Sequence, residues 1–155
     1  MLDLARDTAT RYDDSAGIDG LADMVRLPYT DTKGAWIVDA TLDGTPVRLW
    51  VDTGTPTTLW MGQEGRPGDQ HIVLVDQQNG QTDAYVGSAD VQFGDEPGET
   101  QTVMRVPVSA YLDGLREYFG VQIDGILGLE SLTGRKLVTG AEAGAIRLSR
   151  RPPGP

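Results

Sequence analysis

The sequence predicts an all-β protein, and three observations carry that expectation. Apolar residues alternate with polar ones at the period of a strand, as in Trp36, Val38, Ala40 and Leu42 against Ile37, Asp39 and Thr41. Gly and Pro number 20 and 9 in 155 residues, enough to break the chain into many short runs. Asp43-Gly44 and Asn79-Gly80 fall between such runs, where tight hairpin turns favour residues that tolerate positive φ.

Taken in order, residues 1–22 are polar and acidic, with Asp3, Asp7, Asp13, Asp14 and Asp19, and read as a solvated arm or short frayed helix. A single domain is expected over residues 23–150, with a tail at 151–155. After the 36–42 strand and the Asp43–Pro46 turn, Val47, Leu49 and Val51 continue the alternation with Arg48 and Trp50 on the other face. Gly62 to Gln70 is a loop by composition, and Ile72–Val75 is a short apolar strand. A strand returns through Tyr85 and Val86. Val91 and Phe93 belong to it or to the next one. Asp95–Gly98 is a turn, and Thr102–Val108 is a strand in which Pro107 points to a sheet edge. Ala110–Phe119 reads as a helix: Ser109 can cap it, Leu112, Leu115 and Phe119 share a face, and Gly120 can end it. A helical turn at Glu130–Thr133 and a last strand at Ala145–Ser149 complete the pattern, with no internal repeat.

Composition narrows the function. Hydrophobic residues at 39% and charged residues at 23% fit a folded soluble chain. A net charge of -10 argues against nucleic acid and against an anionic membrane surface. No apolar run has membrane-spanning length. Cys is absent and His71 is the single His, so disulfides and thiolate sites are excluded and neither metal nor cofactor is expected. The first residues lack the basic start and apolar stretch of a signal peptide. The default location is cytoplasmic, unless the chain comes from a longer secreted or anchored protein. His71 reads as a surface or packing residue, and Trp36, Trp50 and Trp60 as core or interface anchors.

Two runs carry chemistry. Residues 51–54 read Val-Asp-Thr-Gly, which puts Asp52 where a buried strand breaks into a Gly turn. Far along the chain, Ile123-Asp124-Gly125-Ile126-Leu127-Gly128-Leu129 follows. Asp39 to Gly54 resembles the opening hairpin of retropepsin-like aspartic proteases. Asp124 to Leu129 resembles their second mark, two apolar residues and a Gly, in the pepsin-type form.

The resemblance implies a closed-barrel lobe of the acid-protease type. It implies an aspartic endopeptidase in which two carboxylates share one proton and activate a water held between them. The chain has a single Asp-Thr-Gly, so the resemblance further implies a homodimer with one Asp52 per subunit and an extended polypeptide as substrate. In that reading Asp52 is catalytic and Thr53 sends its hydroxyl into bonds between the two active-site loops. Gly54 lets substrate backbone approach, and Thr55 binds the outer oxygen of the Asp52 carboxylate. Ile126 and Leu127 line apolar substrate pockets. Gly125 and Gly128 belong to the structural motif, with Gly128 passing behind the active-site loop. Gln77, Gln78, Asn79 and Gly80 form the tip of a flap hairpin. Asp124 and Glu130 read as structural or solvated. Pro56 and Leu129 depart from the family pattern: Pro56 lacks an N–H near the substrate, and Leu129 replaces a residue charged in retroviral members. Two alternatives stand beside this reading. One is an inactive retropepsin-like dimerisation or peptide-binding module; the other is a monomeric lobe with an incomplete site.

Overall fold

Alternation of this kind must bury one face of each strand, and here the strands do so by closing on themselves. The computed structural model describes residues 2–3, 8–9, 18–76, 80–107 and 110–150. Its strands are β1 (Leu2–Asp3), β2 (Thr8–Ala9), β3 (Val25–Thr32), β4 (Ala35–Leu42), β5 (Thr45–Val51), β6 (Thr58–Met61), β7 (Gln70–Asp76), β8 (Gly80–Gln92), β9 (Glu99–Val106), β10 (Gly125–Leu127), β11 (Lys136–Glu142) and β12 (Ala145–Leu148). Helices α1 (Ala110–Phe119) and α2 (Leu129–Leu132) and a 3-10 turn at Leu21–Asp23 complete it. β4, β5, β10, β6, β9 and β8 pair in that order, and Thr41 and Leu42 pair with Gln92 and Val91 to join β8 back to β4. That seam closes a barrel. From β4 the sheet runs on through β3, β12, β11, β1 and β2, and from β8 through β7. The architecture is the all-β closed barrel with short helices that the sequence predicts.

The β4–β5 hairpin forms as its residues dictate. Asp43 and Gly44 have φ of 48° and 76°, both positive, and Leu42 faces Thr45 across a two-residue loop. Val38, Ala40, Leu42, Val47 and Leu49 point into the barrel and are buried. Ile37 points the other way and is buried as well, because Phe119 and Ile123 cover it from outside.

Several expectations change. Tyr85, Val86 and Val91 belong to one long strand, β8, with Phe93 just past its end. β9 begins at Glu99 and is no edge strand: it lies between β6 and β8, and Pro107 falls after its last residue. The edge is β7. β3, β6, β10 and β11 are strands that the sequence pattern did not mark. Within the expected arm, Leu2 and Asp3 pair with Leu137 and Lys136, and Thr8–Ala9 pair back on them, while residues 1, 4–7 and 10–17 lie outside the described residues. Ile18 is buried with Met24 and Val138, so packing begins before residue 23.

The helix spans the residues expected of it. Leu112 and Phe119 are buried, Leu115 is half-buried, and Trp50 packs against Phe119 with ring centroids 5.3 Å apart and ring planes tilted by 59°. The Gly120 N–H bonds to the Arg116 carbonyl at 2.8 Å. Two further carbonyls of the last turn are taken by side chains from the end of β3 and the turn after it: Thr32 Oγ1 donates to Phe119 O at 2.7 Å, and Lys33 Nζ donates to Tyr118 O. Ser109, the expected cap, lies outside the described residues. Gly114 sits mid-helix with nothing within 4 Å of where a Cβ would stand. Gly114→Ala is therefore expected to stabilise the protein by about 0.5–1 kcal/mol, raising Tm by about 2–4 °C. Thermal unfolding checks this, and an unchanged or lower Tm counts against an unobstructed position. Among the described residues, no helix is long and apolar enough to cross a membrane.

Candidate active site

Asp52 lies one residue past β5, where the barrel wall ends and the chain turns into Thr53–Thr57. Two constraints fix its backbone. Its N–H donates to Leu127 O at 3.1 Å, and its own carbonyl accepts from Thr55 N–H at 3.2 Å. The first bond exists because β10 runs parallel beside β5, pairing Gly125 with Leu49, Ile126 with Trp50 and Leu127 with Val51. β10 also pairs antiparallel with β6, so it is wedged between the strands that enter and leave the Asp52 loop.

That wedge requires two glycines. A Cβ on Gly125 would land on the Leu59 carbonyl oxygen. A Cβ on Gly128 would sit 2.5 Å from the Thr57 carbonyl carbon and 2.8 Å from Thr58 N. Both contacts are backbone, which cannot move aside. Gly128 thus passes directly against the backbone of Thr57 and Thr58.

The half-buried Asp52 carboxylate is held at both oxygens. Gly54 N–H donates to Oδ1 at 2.9 Å, and Thr55 Oγ1 donates to Oδ2 at 2.9 Å. Thr53 is exposed and, among the described residues, makes no side-chain hydrogen bond. Behind the loop, Leu129 N–H donates to Thr55 O at 2.8 Å and Glu130 N–H to Pro56 O at 2.9 Å. Pro56 thus contributes its carbonyl to the loop's support although it has no N–H to offer.

Ile126 and Leu127 are not pocket walls. Leu127 has no exposed surface and belongs to the barrel core; Ile126, at 2%, lies under the β7–β8 hairpin with Leu59, Ile72, Leu74 and Leu112. Adjacent strand residues face opposite sides, and β10 is covered on both. Of the expected flap tip, Gly80 opens β8 opposite Asp76, while Gln77, Gln78 and Asn79 lie outside the described residues. Asp124 is structural: its Oδ2 accepts from Arg48 N–H at 2.9 Å and its Oδ1 from Gln122 Nε2 at 3.1 Å. Glu130 is exposed and touches Thr57 Oγ1 at 3.3 Å. Leu129 is 36% exposed. His71 is a surface residue bonded to Asp83 Oδ1 at 2.9 Å and packed beside Tyr85. Among the described residues, no group of three or more His, Cys, Asp or Glu is placed to hold a metal ion.

The sequence reading did not find the hydroxyl pair behind the loop. Thr58 Oγ1 accepts from Gly128 N–H at 3.1 Å and lies 2.7 Å from Ser131 Oγ, in buried surroundings. Thr and Ser are too common in turns and helix starts for their types alone to signal such a contact.

No protein-family model and no curated protein matches the chain. Among solved structures, it is similar to the crystal structure of a retropepsin-like aspartic protease from Rickettsia conorii, with a TM-score of 0.53. The fold is retropepsin-like. The match covers 79% of this chain and 89% of that one at 14% sequence identity, so the likeness is one of fold. Within that retropepsin-like barrel, Asp52, Thr53, Gly54 and Thr55 form an exposed to half-buried loop with Gly125 and Gly128 behind it.

Proposed function

We propose that the protein is an aspartic endopeptidase that cleaves extended polypeptide as a homodimer, with one Asp52 from each subunit. The observation that carries the reading is the Asp52 carboxylate, held by Gly54 N–H on one oxygen and Thr55 Oγ1 on the other. Fixed donors of this kind hold a carboxylate in one orientation, which general acid–base work needs. One such loop supplies half of a two-carboxylate site. The exposed Thr53 hydroxyl is free for the partner's loop, which suits a two-fold axis beside Asp52.

Two carboxylates brought this close share a proton. A water between them attacks the scissile carbonyl carbon and gives a proton to the ionised carboxylate. The protonated carboxyl gives its proton to the carbonyl oxygen. The resulting gem-diol collapses as the amide nitrogen takes a proton and the C–N bond breaks. The chain's own residues supply every proton carrier in these steps.

The test is a peptide-library cleavage assay from about pH 3 to about pH 7, run beside light scattering. Cleavage by a dimer, absent in Asp52→Asn, supports the reading. Equal cleavage by both proteins overturns the mechanism. A dimer that binds peptides and cleaves none of them leaves the binding-module alternative.

A further inference from the structure

We propose that Thr58 and Ser131 form a buried positioning pair that holds the Asp52 loop against the Gly125–Leu129 segment. The inference rests on the endopeptidase reading for its consequence and on geometry alone for its existence.

Apart from the exposed Thr57–Glu130 side-chain contact, four cross-links join the segment 52–58 to the segment 127–130. Three are backbone to backbone: Asp52 N–H to Leu127 O at 3.1 Å, Leu129 N–H to Thr55 O at 2.8 Å, and Glu130 N–H to Pro56 O at 2.9 Å. The fourth is Gly128 N–H to Thr58 Oγ1 at 3.1 Å, and it alone of the four depends on a side chain. Thr58 is fully buried, and so is the Ser131 hydroxyl's residue at 1% exposure. The 2.7 Å contact between the two hydroxyls fixes the Thr58 rotamer, so that its oxygen keeps a lone pair on Gly128 N–H. The contact between Thr57 Oγ1 and Glu130 is longer, at 3.3 Å, and exposed, so it cannot substitute.

Gly128 has no room for a side chain, so only its backbone can anchor it. Its position behind the loop is set from Thr58. Thr58 is three residues from Thr55, whose hydroxyl holds Asp52 Oδ2 and whose carbonyl holds Leu129 N–H. A shift of Gly128 relative to Thr58 therefore moves both the Leu127 carbonyl that takes the Asp52 N–H and the turn that aims Thr55. Thr58 and Ser131 touch neither substrate nor the reacting carboxylate. They act through Gly128, Thr55 and Leu127.

The pair is tested with Thr58→Val, Thr58→Ser and Ser131→Ala. Val keeps the shape and removes the acceptor, Ser keeps the acceptor, and Ala at 131 leaves Gly128 N–H its partner while freeing the Thr58 rotamer. The expected result is a fall in kcat of about tenfold for Thr58→Val with KM within about twofold, recovery in Thr58→Ser, and an intermediate loss in Ser131→Ala. A catalysis-independent reporter runs beside it: the amide proton of Gly54, held by Asp52 Oδ1, is expected to move upfield in Thr58→Val and return in Thr58→Ser. If Thr58→Val is poorly folded, Ser131→Ala carries the comparison. A folded Thr58→Val or Ser131→Ala with the wild-type Gly54 resonance and wild-type kcat overturns the inference. Absence of peptidase activity in the wild type overturns the endopeptidase reading, and the Gly54 resonance still decides the positioning pair.

Discussion

If the proposed endopeptidase activity holds, Asp52→Asn is expected to lower kcat/KM by about a thousandfold or more while leaving the fold in place. The asymmetry follows from the bonds that the side chain makes. An Asn carbonyl oxygen still accepts from Gly54 N–H, and its amide nitrogen lies where Oδ2 meets Thr55 Oγ1, a hydroxyl that accepts as readily as it donates. The loop therefore keeps its partners and loses only the group that carries a proton. A sharper form of the experiment uses dimers tethered through a flexible linker. If each site needs one Asp52 from each subunit, a tethered dimer with a single Asp52→Asn is as inactive as one with both. Half of the wild-type activity in the single-substituted dimer would mean that each subunit works alone, and the shared-site reading would be wrong.

What could be read from sequence and what could not divides along physical lines. The β4–β5 hairpin and α1 were legible because each carries a local signal: an Asp-Gly pair between alternating runs, and a heptad-like face closed by Gly120. β6 and β10, with four and three residues, are too short to show a period, and their neighbours are non-local: β10 pairs with β5 across the intervening barrel. β3 carries Pro28, which demotes a strand on local evidence, yet Tyr29 N–H still bonds to Gly144 O at the β12 side. The motif residues split in the same way. The contacts that Thr55 and Gly128 make with the Asp52 loop follow from chain position relative to Asp52. The burial of Ile126 and Leu127 does not: two adjacent apolar residues in a strand face opposite ways, and only the packing of the β7–β8 hairpin and α1 reveals that both sides are covered. The same limit hid Arg105, which shares the inward face of β9 with Val103 although charge alone would turn it outward.

Asp69→Asn is expected to destabilise the protein by about 3 kcal/mol or more. Arg105 has no exposed surface. Its Nη1 donates to Asp69 Oδ2 at 2.9 Å, its Nη2 to Ser88 O at 2.7 Å and, at 3.4 Å, to Asp43 Oδ2. Its guanidinium and that of Arg66 both lie over the Trp60 ring. These partners sit at the seam of the barrel. Asp43 N–H donates to Asp90 O at 2.9 Å and Asp90 N–H to Asp43 Oδ1 at 2.7 Å, continuing the β4–β8 closure past Leu42 and Val91. Asn at 69 can still accept from Arg105 but no longer neutralises it, so a buried guanidinium is left with one distant carboxylate shared with Arg66. Removing the charge as well should recover much of the loss, because Arg105→Met no longer needs a counter-ion. A urea-unfolding double-mutant cycle with Asp69→Asn, Arg105→Met and the pair measures the coupling. Additive losses would mean that the two residues act through packing and not as an ion pair. Acid probes the same seam. Burial pushes the Asp43 carboxyl up, but the Asp90 N–H and the Arg66 and Arg105 charges together outweigh it and hold the group below its ordinary value. A carboxylate depressed in the folded state adds stability above its unfolded value, and that stability is lost as pH falls through the lower folded one. The seam is therefore expected to weaken below about pH 4, and Asp43→Asn should flatten the acid limb of the stability curve while lowering stability at neutral pH. An acid limb of unchanged steepness in Asp43→Asn would place the acid sensitivity elsewhere in the chain.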